Sequence, residues 1–253
     1  MKKFLFVDLD DTLFQTLKKC QGRQDLRAVG FLQDGSPISY MSDKQRALFE
    51  MLAREMTLIP TTARNQNALS RVDLPFSSYA IIDYGGVILQ PDGQPDANWL
   101  QHTTQQSASA HSGLCLALDL MRDYASANGM AEMVPQARLV QDFGIAFYAL
   151  IKHPQGDDAK LAQMDADVLR PWVAQAGSDF YIHRNGNNLA VLPKTLSKRH
   201  AVQYLQQQFV AEFDSILSIG MGDSRSDASF MSVCDYAMLP QTSQLADVLR
   251  ELV

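Results

Sequence analysis

The chain has few cysteines, no long apolar run and no surplus of positive charge, and each shortage removes a class of explanation. Cys20, Cys115 and Cys234 are its three cysteines in 253 residues, widely spaced and forming no C-x-x-C pair. Neither a disulfide scaffold nor a cysteine zinc site is expected, and reduced thiols fit a cytoplasmic protein. No stretch approaches the roughly 18 consecutive apolar residues that span a bilayer. The opening Met1-Lys2-Lys3-Phe4-Leu5-Phe6-Val7 meets Asp8, Asp10 and Asp11 before it is long enough for a signal-peptide core. Lys and Arg number 22 against 28 Asp and Glu, a net charge of −6. A nucleic-acid surface shows as a basic stripe, and this chain has no basic block. Neither nucleic acid nor a membrane is therefore an expected partner, and an anionic ligand must be drawn in by a local cluster of positive groups.

What is present is an ordinary globular composition, 46% hydrophobic and 20% charged, enough for one large domain or one domain with an insertion. Residues 4–7 read as a buried parallel strand whose carboxyl end carries acidic residues. Segments 28–32 and 37–41 flank an Asp34-Gly35 turn and predict a hairpin. Ser42 caps a helix running to Glu55, and 56–60 and 79–82 predict further strands. From about Gly86 the pattern changes. Residues 101–112 are polar and read as loop or helix start, followed by a helix from Gly113 to about Asn128. Strand-like segments at 138–140 and 146–151, a helix over 157–176 and a hairpin around Arg184-Asn185-Gly186-Asn187 follow. The chain then returns to a helix over 197–209, strands at 215–219 and 236–239, and a last helix from Ser243. Strands alternating with helices at both ends argue for an α/β parallel sheet, and the mixed middle third for a separate α+β insertion. The expected core is 1–85 with 191–253, and the expected insertion 86–190.

Ligands of open α/β sheets bind outside the carboxyl ends of the strands. Two such ends carry acid: Asp8-Leu9-Asp10-Asp11-Thr12 after the first strand, and Gly222-Asp223 with Asp227 after the strand at 215–219. If the chain stays extended, Asp8 and Asp10 share a side. Their mutual repulsion calls for a hard cation with oxygen ligands, and the lack of His and Cys suits Mg²⁺ better than Zn²⁺.

In order, Asp8-x-Asp10-x-Thr12, Thr62 in Thr62-Ala63-Arg64, Lys198 before a helix and Gly222-Asp223-x-x-x-Asp227 resemble the motif set of the haloacid dehalogenase superfamily of phosphatases. The long insertion between the second and third motifs resembles its C2-type cap, as in the Cof-like and sucrose-phosphate-phosphatase-like branch. The resemblance implies a Rossmann-like core with an inserted α+β cap that closes over a small phosphorylated metabolite, plausibly a sugar phosphate. It implies Asp8 as nucleophile through an aspartyl-phosphate and Asp10 as general acid and then base. Asp8, the Asp10 backbone carbonyl and Asp223 would hold Mg²⁺, with Asp227 joining through water, and Thr62 and Lys198 would grip the phosphoryl oxygens. Asp11 stands where Gly is commoner, and Ser226 where Asn is usual.

Several alternatives stay open at this point. Thr61 rivals Thr62 and Lys194 rivals Lys198, and Arg64 reads as structural or solvated. In the insertion, Arg184, Asn185 and Asn187 are candidates for gripping the leaving group, beside Lys152, His153, His183 and Asn188. Trp99 and Trp172 read as packing. A phosphomutase would need an Arg cluster, and the insertion offers Arg122, Arg138, Arg170 and Arg184 without an evident one. A catalytically silent phosphate-binding protein is the third reading.

Overall fold

The computed structural model describes residues 1–20 and 22–251. It divides into two compact units, Met1–Leu100 with Ser197–Val253, and Gln101–Leu196. The second is thus an insertion in the sequence of the first. Its observed bounds are 101 and 196, against 86 and 190 expected: the strand Val87–Leu89 pairs back onto Ala80–Ile82 and stays with the first unit, while Asn188–Pro193 pairs with Phe180–Asn185 and stays with the second.

The first unit is built on a four-stranded sheet in the order Tyr236–Met238, Ile216–Met221, Lys2–Val7, Thr57–Pro60. All three pairings are parallel. Parallel strands need both faces covered, and the first strand meets that demand by alternation. Phe4 and Phe6 pack with Ile59, Val202, Leu205 and Phe209 on one face, while Leu5 and Val7 pack with Leu9, Phe49, Leu52 and Met221 on the other. The next strand of this sheet in sequence, Thr57–Pro60, lies to one side of Lys2–Val7, and the strand Ile216–Met221 to the other. The carboxyl end of Lys2–Val7 is therefore the switch point at which open α/β sheets open a crevice.

Local signals match these elements. Ser42 caps the helix Asp43–Glu55 through a capping box with Gln45, an arrangement worth about 1 kcal/mol. The hairpin Leu26–Phe31 with Pro37–Ser42 turns where Gly35 takes a φ of 80°, and adds Gln15–Thr16 as a third strand.

The second unit is a four-stranded antiparallel sheet in the order Phe180–Asn185, Asn188–Pro193, Ile145–Lys152, Arg138–Asp142. Its core gathers Leu114, Met121, Leu161, Met164, Leu169 and Val191. The expected helix over 157–176 is three pieces, Asp158–Met164, a π-helical turn at Asp165–Leu169, and Arg170–Gln175. The stretch 101–112, read as loop or helix start, is part of one 31-residue helix, Ala97–Ala127. Asp96 starts it by accepting the Trp99 N–H at 2.8 Å, and the Gln- and Ala-rich stretch contains no Gly or Pro to stop it. Among the described residues no helix is long and apolar enough to cross a membrane.

Candidate active site

The site begins where the strand Lys2–Val7 ends. The Asp8 N–H donates to Met221 O at 2.8 Å and the Thr61 N–H to Val7 O at 2.8 Å. Three strand ends thus bring Asp8, Thr61-Thr62 and Gly222-Asp223 to the same edge. Past Asp8 the chain stops being extended: Leu13 N–H donates to Leu9 O and Asp11 N–H to Phe14 O. The curl requires Asp11 at a φ of 63°. This explains why Gly is common at that position and why Asp, which tolerates left-handed backbone better than most residues, can replace it. The extra charge is answered locally by Lys19, whose ammonium lies 2.5 Å from Asp11 Oδ2.

The curl also separates the two acidic residues that alternation put together. Asp8 is buried, whereas Asp10 is exposed. Asp8 joins a cluster in which one oxygen from each of Asp8, Asp223 and Asp227 lies within 4.8 Å of the others. Thr12 Oγ1 sits between Asp8 Oδ2 and Asp223 Oδ1, at 3.3 and 3.1 Å. The Asp10 carboxylate stands outside this cluster and is forked by Arg64 Nε and Nη2, at 2.7 and 2.8 Å. Arg64 is therefore part of the site, contrary to its reading as structural or solvated. Its one sequence signal was a position two residues beyond Thr62.

Lys198 closes the cluster from the other side. It is the first residue of the helix Lys198–Phe213, capped by the Ser197 side chain. Its ammonium donates to Asp8 Oδ1 at 2.6 Å and to Asp227 Oδ1 at 2.7 Å. Lys194, its rival in the sequence, is exposed and belongs to the second unit. The two threonines differ in their hydrogen bonds. The Thr61 hydroxyl donates to Ile59 O, while the Thr62 hydroxyl accepts from the Arg64 N–H and keeps its own proton to give.

Two close approaches hold the pieces. Asp83, Tyr84 and Gly85 follow the strand Ala80–Ile82 with φ of 51°, 56° and 97°. A Cβ on Gly85 would fall 2.4 Å from Ser197 O, so the turn presses on the start of the Lys198 helix. A Cβ on Gly222 would fall 2.5 Å from Asp227 Cβ, which is why the Gly-Asp-x-x-x-Asp loop can fold back on itself. Ser224 completes that loop, donating to Asp227 Oδ2 from N–H at 3.1 Å and from Oγ at 2.5 Å.

The electrostatics follow from burial. Burial raises the Asp8 carboxyl well above the usual range, with Asp227 adding to the rise, against the lowering pull of Lys198. Asp223 is pushed up to about 6 by burial, then by Asp227 and Asp11. Burial works against ionised Asp227 as well, but Lys198 and the Ser224 hydrogen bonds outweigh it and hold that carboxyl low. Burial also opposes the charge on Lys198, and Asp227 with Asp8 overcomes it, so the ammonium is held more tightly than usual. Burial thus works against ionisation of Asp8 and Asp223, and added positive charge beside them favours it. The donor set is oxygen-only and buried, which fits a hard divalent cation such as Mg²⁺.

The cap candidates lie in the second unit. Arg184 pairs with Asp158 at 2.5 Å. Asn185 and Asn187 flank the hairpin turn at Gly186, the Asn187 carbonyl accepting from the His153 N–H. Trp99 and Trp172 are packing residues, as expected: the Trp99 ring lies 4.9 Å from that of Tyr204, and the Trp172 ring 5.3 Å from that of Phe180.

Comparison with known proteins agrees with this geometry. The family model for sucrose-6F-phosphate phosphohydrolase matches residues 124–239, a span that includes Lys198, Asp223 and Asp227. Among solved structures, the C-terminal domain of trehalose-6-phosphate phosphatase from C. albicans is 13% identical. It covers 91% of this chain and 73% of its own, with a TM-score of 0.59. Sucrose-phosphatase from Synechocystis, solved with sucrose and phosphate, is 17% identical, covering 99% of this chain and 87% of its own at a TM-score of 0.54. A Thermoplasma acidophilum protein is similar at 13% identity and a TM-score of 0.52, covering 100% of this chain and 89% of its own. No curated protein matches the sequence. The chain thus shares its fold with these phosphatases, and residues 124–239 are similar to the sucrose-6F-phosphate phosphohydrolase family.

Proposed function

We propose that the chain hydrolyses the phosphomonoester of a small sugar-like metabolite through a phosphorylated Asp8. The observation that carries this reading is the buried Lys198 ammonium bridging Asp8 and Asp227 beside Asp223. It puts a carboxylate and an ammonium together near one strand end, which supports the nucleophilic reading.

In the first step an Asp8 oxygen attacks phosphorus in line, an O–P bond forms and the bond to the leaving oxygen breaks. Asp10 gives its proton to that oxygen, which would otherwise depart as a basic alkoxide. In the second step Asp10 takes a proton from water, the water oxygen bonds to phosphorus and the Asp8–phosphorus bond breaks, releasing inorganic phosphate. The Thr62 hydroxyl and Lys198 donate to the phosphoryl oxygens. Asp8, Asp223, Asp227 and the Asp10 carbonyl would hold Mg²⁺, which would supply positive charge that offsets repulsion between nucleophile and substrate.

The sugar-phosphate class is supported by the family match and by the names of the similar structures. Arg184, Asn185 and Asn187 remain the proposed contacts to the leaving group. The phosphomutase reading is disfavoured by local engagement of the insertion's arginines. Arg122 donates to Ala137 O, Arg138 to Gln136 O, Arg170 pairs with Asp165 and Arg184 with Asp158. Phosphate release from a panel of phosphorylated sugars, with Mg²⁺ or EDTA, tests the proposal. Metal-dependent release by the wild type is expected, and tight phosphate binding without turnover would favour a silent binding protein.

A further inference from the structure

Arg64 has no part in the mechanism above, yet its side chain is among the most completely held in the first unit. Nε and Nη2 fork the Asp10 carboxylate, and Nη1 donates to Ala68 O at 3.3 Å. The guanidinium carbon lies 5.3 Å from the centroid of the Phe14 ring, which is fully buried. The Arg64 side chain is 16% exposed, that of Asp10 48%. This asymmetry decides which residue holds which. Arg64 has a carbonyl and an aromatic face to fix it independently of Asp10. Among the described residues, the Asp10 carboxylate has Arg64 alone. A half-exposed aspartate without that fork samples several side-chain rotamers. A bidentate guanidinium fixes both the position and the plane of a carboxylate, which a lysine ammonium does not.

We propose that Arg64 is the positioning residue for Asp10, setting the orientation from which that carboxyl serves the leaving group. The inference rests on the reading of Asp10 as general acid and base. Misplacing a catalytic group by about 1 Å costs about a hundredfold, and the loss falls on the proton transfer alone. It should therefore scale with how badly the leaving group needs a proton.

The test compares kcat/KM for phenyl phosphate and p-nitrophenyl phosphate, nearly identical in shape but differing in leaving-group basicity. The parameter reports steps up to departure of the phenol, so the later hydrolysis does not obscure it. Arg64→Ala is expected to lower kcat/KM for phenyl phosphate about tenfold more than for p-nitrophenyl phosphate. Asp10→Asn should show the same bias. Arg64→Lys, which keeps the charge but not the fork, should resemble Arg64→Ala, and it carries the comparison if the alanine variant does not fold. Equal losses on both substrates in the Arg64 variants, with Asp10→Asn still discriminating, would overturn the positioning role and leave the phosphatase reading intact. Restoration by Arg64→Lys would overturn it too, pointing to charge alone. A wild type without turnover, or an Asp10→Asn variant without bias, would defeat the mechanistic reading itself, and the inference with it.

Discussion

At the residue scale the site is a problem of excess negative charge solved by one buried ammonium. Removing that ammonium leaves Asp8 and Asp227 unpaired in a dry setting, where breaking a buried pair costs about 3–5 kcal/mol. Lys198→Met is therefore expected to abolish phosphate release and lower the denaturant midpoint of the metal-free protein. Unchanged stability would mean that the pair is not buried as described. Asp223 makes the opposite kind of prediction. Its carboxyl is raised to about 6 by burial, so its protonated form favours the fold, and that contribution is lost as pH rises through about 6. On the proposed reading Mg²⁺ would bind the ionised form and would have to displace the proton below that pH. Calorimetry should show Mg²⁺ affinity falling as pH drops through about 6. A flat profile down to about pH 4.5 would contradict the assignment of Asp223 as a ligand.

At the scale of elements, the site depends on a turn and a helix start meeting at very short range. Gly85→Ala would force a Cβ to 2.4 Å from the Ser197 carbonyl at a φ of 97°. The variant should lose about 2 kcal/mol or more in chemical denaturation and, by moving the helix start, most of its turnover. Full activity with full stability would show that Lys198 is placed some other way. The contrast with the sequence reading is instructive here. Strand ends, the Ser42 cap and the motif residues were legible because each is a local pattern with a local cause. Asp96 as a helix start was not, because residues 101–112 that follow are polar and carry no apolar period to mark a helix. Nor was the separation of Asp8 from Asp10. That depends on the left-handed Asp11, which sequence marks only as an unusual substitute for Gly. Arg64 was illegible for a related reason, since its importance lies in a fork to a residue 54 positions away.

At the scale of the whole molecule, the chain carries one tryptophan in each compact unit, Trp99 in the first and Trp172 in the second. The proposed metal ligands all lie in the first unit. In the Trp172→Phe variant, whose signal comes from Trp99, Mg²⁺ at about a hundredfold excess over Kd should raise the fluorescence-monitored Tm by about 5 °C or more. No shift there would place metal binding elsewhere. The insertion's bounds were legible only to within about fifteen residues at the first junction. The chain enters the second unit inside a continuous helix, without the Gly- or Pro-rich linker that usually marks a boundary.

The most direct test of the central claim is phosphate release from phosphorylated sugars by wild type and Asp8→Asn, each with Mg²⁺ and with EDTA. The account predicts release by the wild type with Mg²⁺ only, lowered by about a thousandfold or more in Asp8→Asn. Turnover that survives Asp8→Asn, or that is indifferent to EDTA, would contradict it.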